Sequence, residues 1–227
     1  GDVRIMFPMV STLPELRKCI FLLRDVMEDL REAGIEFNAK LPIGTMIEVP
    51  SAAIMANEFA REVDFFSLGT NDLIQYTLAA DRTNEHVADL YSAADPAVIR
   101  LIQMVVTAAQ THNKGVNVCG EMSGDPLYTP LLVGLGLRQL SLTPHNLPAV
   151  KTIIRRLDLT DCERIAAEVL KLDSARDVTN YLLRQRQRIH PEATGNSAMA
   201  PSTSGGKSSF LTGTIGASAA IRASGLA

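Results

Sequence analysis

No run of this chain approaches the roughly 18 consecutive apolar residues that a membrane-spanning helix needs, so no membrane insertion is expected. Basic charge is not in excess either. The 22 Lys and Arg stand against 25 Asp and Glu, a formal net charge of -3, which leaves no global footprint for nucleic acid. Cysteine is scarce: Cys19, Cys119 and Cys162 lie far apart, which argues against a disulfide framework and for a reducing, cytoplasmic setting. Neither a zinc-ligand spacing nor a nucleotide-binding glycine loop occurs. The chain opens on Gly1 with no initiator methionine and no signal peptide, and its first strand starts almost at once, as expected of a piece of something longer. From about Gly195 acidic residues vanish and Ser, Gly, Ala and Thr take over, so 191–227 is expected to be a low-complexity, disordered tail outside the fold.

What remains is 46% hydrophobic over 227 residues, enough for one α/β domain with a substantial core. Apolar runs starting near Ile5, Ile43, Phe65, Val116 and Gln139 read as five strands, and helical periodicity fills the stretches between them. After the first strand, Leu16, Cys19, Ile20, Leu23, Val26, Met27 and Leu30 recur at helical spacing up to Gly34. Pro50 suits the first turn of a helix over Ser51 to Glu62, Asp95-Pro96 and Asp125-Pro126 each read as a helix start, and Thr160 to Glu163 has capping-box spacing. Strand alternating with helix predicts parallel strands joined by right-handed crossovers. A closed barrel of that type needs eight units.

The chemistry gathers at the strand exits. The stretch FFSLGTNDLIQYTLAADR runs from a buried strand into Gly69, Thr70, Asn71 and Asp72, where parallel α/β folds place their sites. Asp72 suits a hard cation, Gly69 lets backbone approach a ligand, and Arg82 supplies a fixed positive charge for a phosphate or carboxylate. Glu48 ends the preceding strand. A carboxylate in an apolar run is costly to bury unless it is paired or ligates a cation, and with Asp72 it makes a pair suited to Mg2+. Cys119, beside Gly120 and Glu121 at a third strand exit, is placed to exchange a proton with a ligand. By contrast, Cys19 lies on the apolar stripe of its helix and Cys162 at a helix start. His86, His112, His145 and His190 share no motif with a nucleophile, and Arg184, Arg186 and Arg188 read as a solvated face.

Four motifs, RIMFPMV, GTMIEVPSA, EVDFFSLGTNDLIQYTLAADR and NVCGEMSGD, closely resemble in order the phosphoenolpyruvate-binding domain of Enzyme I of the bacterial sugar phosphotransferase system. The resemblance runs from about Arg4 to Arg156. It implies the carboxyl-terminal (β/α)8 barrel of a phosphoenolpyruvate-protein phosphotransferase, of which about the last five units are expected over residues 1–190. It further implies transfer of the phosphoryl group from phosphoenolpyruvate to an enzyme histidine and then to the carrier HPr, with pyruvate released. Carried residue by residue, the family's magnesium carboxylates fall on Glu48 and Asp72, its substrate-binding asparagine on Asn71, its substrate-binding arginine on Arg82 and its proton donor on Cys119. The resemblance also implies a homodimer in the full-length protein. Its phosphohistidine region and its other substrate-binding arginines match nothing in this sequence, and a barrel short of three strands is expected to be inactive alone.

Pyruvate phosphate dikinase and phosphoenolpyruvate synthase share this barrel with similar motifs, although QYTLAADR and the Met122-Ser123 that follows CGE look more like Enzyme I. A non-catalytic dimerisation module is a second alternative. A metal-dependent carbon-carbon lyase is a third, and a proton donor at Cys119 argues against it.

Overall fold

All five expected strands form: β1 Ile5–Phe7, β2 Ile43–Ile47, β3 Phe65–Gly69, β4 Gly115–Cys119 and β5 Gln139–Leu142. The computed structural model describes residues 3–81, 83–84 and 87–191, and the backbone of Ala219–Arg222. β1 to β5 lie side by side in chain order, and every adjacent pair is parallel. Crossovers of one hand that always step in the same direction put their helices on one face of the sheet, whereas a doubly wound sheet reverses its order and covers both. The order is therefore that of an arc of a (β/α)8 barrel, five units long.

Burial alternates along the strands as this arrangement requires. Phe66, Leu68, Val118, Leu140 and Leu142 are buried against the helical layer. On the inner face Met46, Phe65, Asn117, Cys119, Gln139 and Ser141 are only partly covered. Two inner-face polar residues depart from this. Glu48 is 3% exposed and Ser67 2%, so each must find its partners within the protein.

The helical layer comprises α1 Leu13–Glu32, α2 Pro50–Ile54, α3 Ala56–Ala60, α4 Thr70–Leu78, α5 Pro96–Thr111, α6 Glu121–Gly124, α7 Thr129–Gly134, α8 Leu147–Ile154, α9 Leu159–Val169 and α10 Ala175–Ile189. Asp95 caps α5 as its sequence predicts, accepting from the Ala97 N–H at 2.8 Å with Pro96 at the first helical position. Four expectations are corrected. The helix predicted over Ser51 to Glu62 breaks at Met55, which leaves the helical region (φ -93°, ψ 18°) and separates α2 from α3. The cap of α9 is Asp158, accepting from the Asp161 N–H at 3.1 Å, rather than Thr160. Asp125-Pro126 makes a turn, Asp125 Oδ1 accepting from the Leu127 N–H at 2.8 Å, and α7 begins only at Thr129. Of the stripe predicted on α1, only Leu16 and Ile20 are buried; Cys19, Leu23, Met27 and Leu30 are partly buried and Val26 is exposed. β1 is the edge of the sheet, so α1 has neighbouring helices on one side only.

The tail predicted to stand outside the fold contributes one short strand. β6, Ala219–Arg222, pairs antiparallel with β5 and covers what would otherwise be an open edge, while 192–218 and 223–227 lie outside the described residues.

Candidate active site

Strand register sets the site. Ile47 pairs with Leu68, and Gly69 pairs with Cys119, so one residue beyond the end of β2 Glu48 stands level with Gly69 and Cys119. By alternation all three share the inner face. Strands two apart lie about 10 Å from each other, a span that one small ligand covers if nothing projects between them. Gly69 opens a gap there, into which the Glu48 and Met46 side chains reach. A Cβ on Gly69 would lie 2.6 Å from Glu48 Oε2, 2.9 Å from Glu48 Cβ and 2.9 Å from Met46 Sδ.

β3 passes into α4 without a loop, Gly69 serving as N-cap, so Asn71 and Asp72 fall in the first helical turn. Asp72 is thus delivered by a helix start rather than a strand end, and it still reaches Glu48. Burial pushes the Glu48 carboxyl above the usual carboxylate range, and the negative charge of Asp72 and a hydrogen bond with it act in the same direction. The Met9 N–H, donating to Glu48 Oε1 at 2.7 Å, opposes them. Met9 holds a positive φ of 55°, rare for a side chain of its size, at the position where the chain leaves β1.

Cys119 closes the row. Burial pushes its thiol up from the ordinary value; a hydrogen bond with Ser67 pulls it down, and the charges of Glu48 and Asp72 push it up again. The two carboxylates and the thiol therefore share one mouth, and the thiol holds its proton at neutral pH. It is suited to giving a proton and poorly suited to nucleophilic attack.

The first turn of α4 fastens the exit of β4. Thr70 Oγ1 donates to the Cys119 carbonyl at 2.8 Å, and Asn71 Oδ1 accepts from the Glu121 N–H at 2.9 Å. Gly120 makes this possible with a φ of 105°, and a Cβ there would overlap Thr70 Oγ1 and lie 2.8 Å from Asn71 Oδ1. The hydrogen bond engages Oδ1, so the amide –NH2 is what Asn71 offers a ligand. A cavity of about 510 Å³ adjoins this turn, lined by Asn71, Cys119, Glu121, Ser141, Thr143 and Asn146 among others. It opens at the exits of β4 and β5. Glu48 and Asp72 lie at the exits of β2 and β3 and do not line it, so Cys119 stands between the carboxylates and the cavity.

Two carboxylates meeting at a glycine gap fit a hard cation. Among the described residues no group of three His, Cys, Asp or Glu side chains clusters for a metal. Mg2+ takes only one or two protein carboxylates and fills its shell with water and substrate oxygens, so the pair suffices. Arg82 lies outside the described residues. Ser67 was not legible as a site residue, because a lone serine in FFSLG reads as part of a buried strand. No helix among the described residues is long and apolar enough to cross a membrane.

Comparison with known proteins accords with this geometry. Residues 1–159 match the family described as PEP-utilising enzyme, PEP-binding domain. The phosphoenolpyruvate-protein phosphotransferase of Listeria monocytogenes is 44% identical over 182 residues, covering 80% of this chain and 32% of that protein. Its counterpart from Enterococcus faecalis is 46% identical over 171 residues, covering 75% and 30%. The chain spans about a third of the length of the curated relatives it matches. In structure it is similar to a citrate lyase from Burkholderia xenovorans, with a TM-score of 0.50 at 15% identity over 82% of this chain and 64% of that one, a likeness of fold alone. With the family's model spanning most of the sequence and the site's residues meeting at one mouth, the chain belongs to the PEP-utilising enzymes, in their PEP-binding domain.

Proposed function

We propose that this domain binds phosphoenolpyruvate with Mg2+ and, within a phosphoenolpyruvate-protein phosphotransferase, presents the phosphoryl group to an enzyme histidine that passes it to HPr, releasing pyruvate. The observation that carries the reading is the level row of Glu48, Gly69 and Cys119, with Asp72 reaching into it from α4. The names of the relatives favour the phosphotransferase over the dikinase and synthase that share the barrel. In this reading the whole protein is a homodimer and works in the cytoplasm.

Glu48 and Asp72 would hold the cation, which when bound offsets the negative charge of the phosphoryl oxygens. Asn71 donates its amide –NH2 to the substrate, and Arg82 supplies a fixed positive charge to the phosphoryl group or the carboxylate. Gly69, lacking a side chain, leaves room for the Glu48 carboxylate to lie over β3 beside the site. When the bond from phosphorus to the enol oxygen breaks, the enolate left behind takes a proton at its methylene carbon. Cys119 gives that proton: the S–H bond breaks, a C–H bond forms and the electron pair stays on sulfur. Protonation at carbon yields pyruvate and makes the transfer hard to reverse. A lyase reading, which the fold likeness alone would allow, has no use for this thiol.

The test is thermal stability with phosphoenolpyruvate alone, Mg2+ alone and both together. Stabilisation of roughly 2–3 kcal/mol is expected near a hundredfold excess over the dissociation constant, and only with both present. Glu48→Ala and Asp72→Ala should each abolish it. Unchanged melting of the parent chain with both ligands would overturn the reading.

A further inference from the structure

The hydroxyl of Ser67 is buried, and among the described residues its partner is Cys119 Sγ at 3.7 Å. The sulfur has a second partner, the Leu68 carbonyl at 3.3 Å, which can only accept. With the thiol proton directed at Leu68, the O–H of Ser67 is left to donate to sulfur. These two contacts have opposite fates when the proton leaves. The carbonyl then faces a negative sulfur and its contact becomes unfavourable, while a hydroxyl donor binds an anion more strongly than it binds a neutral thiol. The register explains why this serine can serve: Ser67 lies on β3 two residues before Gly69, on the same inner face, and Gly69 pairs with Cys119. Met46 and Asn117 flank it in its own row.

We propose that Ser67 is a positioning residue for the proton-transfer step, fixing the Cys119 thiol beside the Gly69 gap and donating to its sulfur as the proton passes to the enolate carbon. The proposal rests on the reading of Cys119 as the proton donor. In that step the S–H bond breaks, the C–H bond forms, the electron pair remains on sulfur and the serine keeps its own proton, the thiolate later regaining one from water. The charged groups acting on the thiol are Glu48 beyond β2 and Asp72 on α4, both negative. The serine thus gives the sulfur a hydrogen-bond donor on a site whose other charges disfavour a thiolate.

Alkylation of Cys119 as a function of pH tests this on the full chain without any substrate, with the Cys119 peptide quantified apart from those of Cys19 and Cys162. Ser67→Ala should move the profile to higher pH and slow alkylation near neutrality by about fivefold, the factor that corresponds to one net hydrogen bond. Ser67→Thr, which keeps the hydroxyl, should restore the parent's profile to within about twofold. In a complete phosphotransferase carrying this domain, Ser67→Ala should slow pyruvate formation while leaving phosphoenolpyruvate binding intact. A Ser67→Ala profile that superimposes on the parent's overturns the proposal at the serine. A shifted profile together with undiminished pyruvate formation in Cys119→Ala overturns it at the proton donor, and leaves substrate binding to be judged by its own thermal test.

Discussion

At the scale of single residues, the proposed mechanism gives Cys119 the task of separating two steps that the rest of the site performs together. In it the carboxylates, Asn71 and Arg82 address the phosphoryl group and the carboxylate, whereas the thiol addresses only the carbon. In a complete phosphotransferase carrying this domain, Cys119→Ala should therefore leave phosphorylation of the enzyme histidine detectable in a single turnover and slow the formation of protonated pyruvate by a factor on the order of 100 or more, the contribution of a positioned general acid. Rapid quenching with separate assays of phosphohistidine and pyruvate would read both steps, and equal loss of the two would make Cys119 structural. The residues that sequence made legible are those whose type conflicts with their surroundings: Glu48 in an apolar strand, Asn71 and Asp72 at its neighbour's exit, Cys119 beside a glycine. Ser67 and the Met9 N–H were not, because a serine inside a strand and a backbone amide carry no such conflict. Their roles come from register and from the left-handed turn at Met9, which only the fold supplies.

At the scale of elements, the strands were legible because parallel strands buried on one face are nearly continuous apolar runs bounded by Pro, Gly or polar residues. Helix ends were less so. Asp95 competes with no neighbour as a cap, whereas Asp158 and Thr160 are both competent caps two residues apart, and packing of Cys162 and Ile165 onto the core selects the frame in which Asp158 caps. The periodicity of α1 predicted burial that a helix beside the edge strand does not attain. A close helix contact was also hidden. At Gly134, the last residue of α7, a Cβ would overlap the Cys162 carbonyl oxygen of α9 and lie 3.0 Å from Ala166 Cβ. A backbone oxygen has no rotamer to give, so the two helices must part. Gly134→Ala should cost about 1–3 kcal/mol, an overpacking penalty little relieved by alanine's higher helix propensity at a helix end. Gly34→Ala is the control. Gly34 has a φ of 69° with nothing near its missing Cβ, so it should lose only the roughly 1 kcal/mol of left-handed backbone strain. Chemical denaturation midpoints would rank the two, and a neutral Gly134→Ala would show that α7 and α9 do not touch as described.

At the scale of the whole molecule, that same seam ties stability to alkaline pH. Cys162 is fully buried with Val133, Ile153 and Leu157, and its thiol is pushed up to about 11 from 9.0 by burial first and then by Asp161 and Asp158. The folded chain keeps this proton over a range in which the unfolded chain releases it. Its contribution is therefore fully present below pH 9.0 and is lost as pH rises through about 11. Tyr128 adds the same sign at higher pH, its hydroxyl pushed up to about 12 from 10.0 by burial and then by Asp125. Unfolding should thus become easier as the solution is made alkaline, although the active-site mouth lies on the opposite side of the sheet from the helical layer that holds Cys162. Cys162→Ala isolates the thiol's share. The variant loses packing at every pH, so it melts below the parent at neutrality, but the gap between them should narrow by roughly 2 kcal/mol across pH 9–11, because the variant has no thiol to deprotonate. Calorimetric melts of parent and variant over that interval would measure the gap directly. A gap that stays constant would show that Cys162 ionises alike in the folded and unfolded chains, and that the α7–α9 seam admits water.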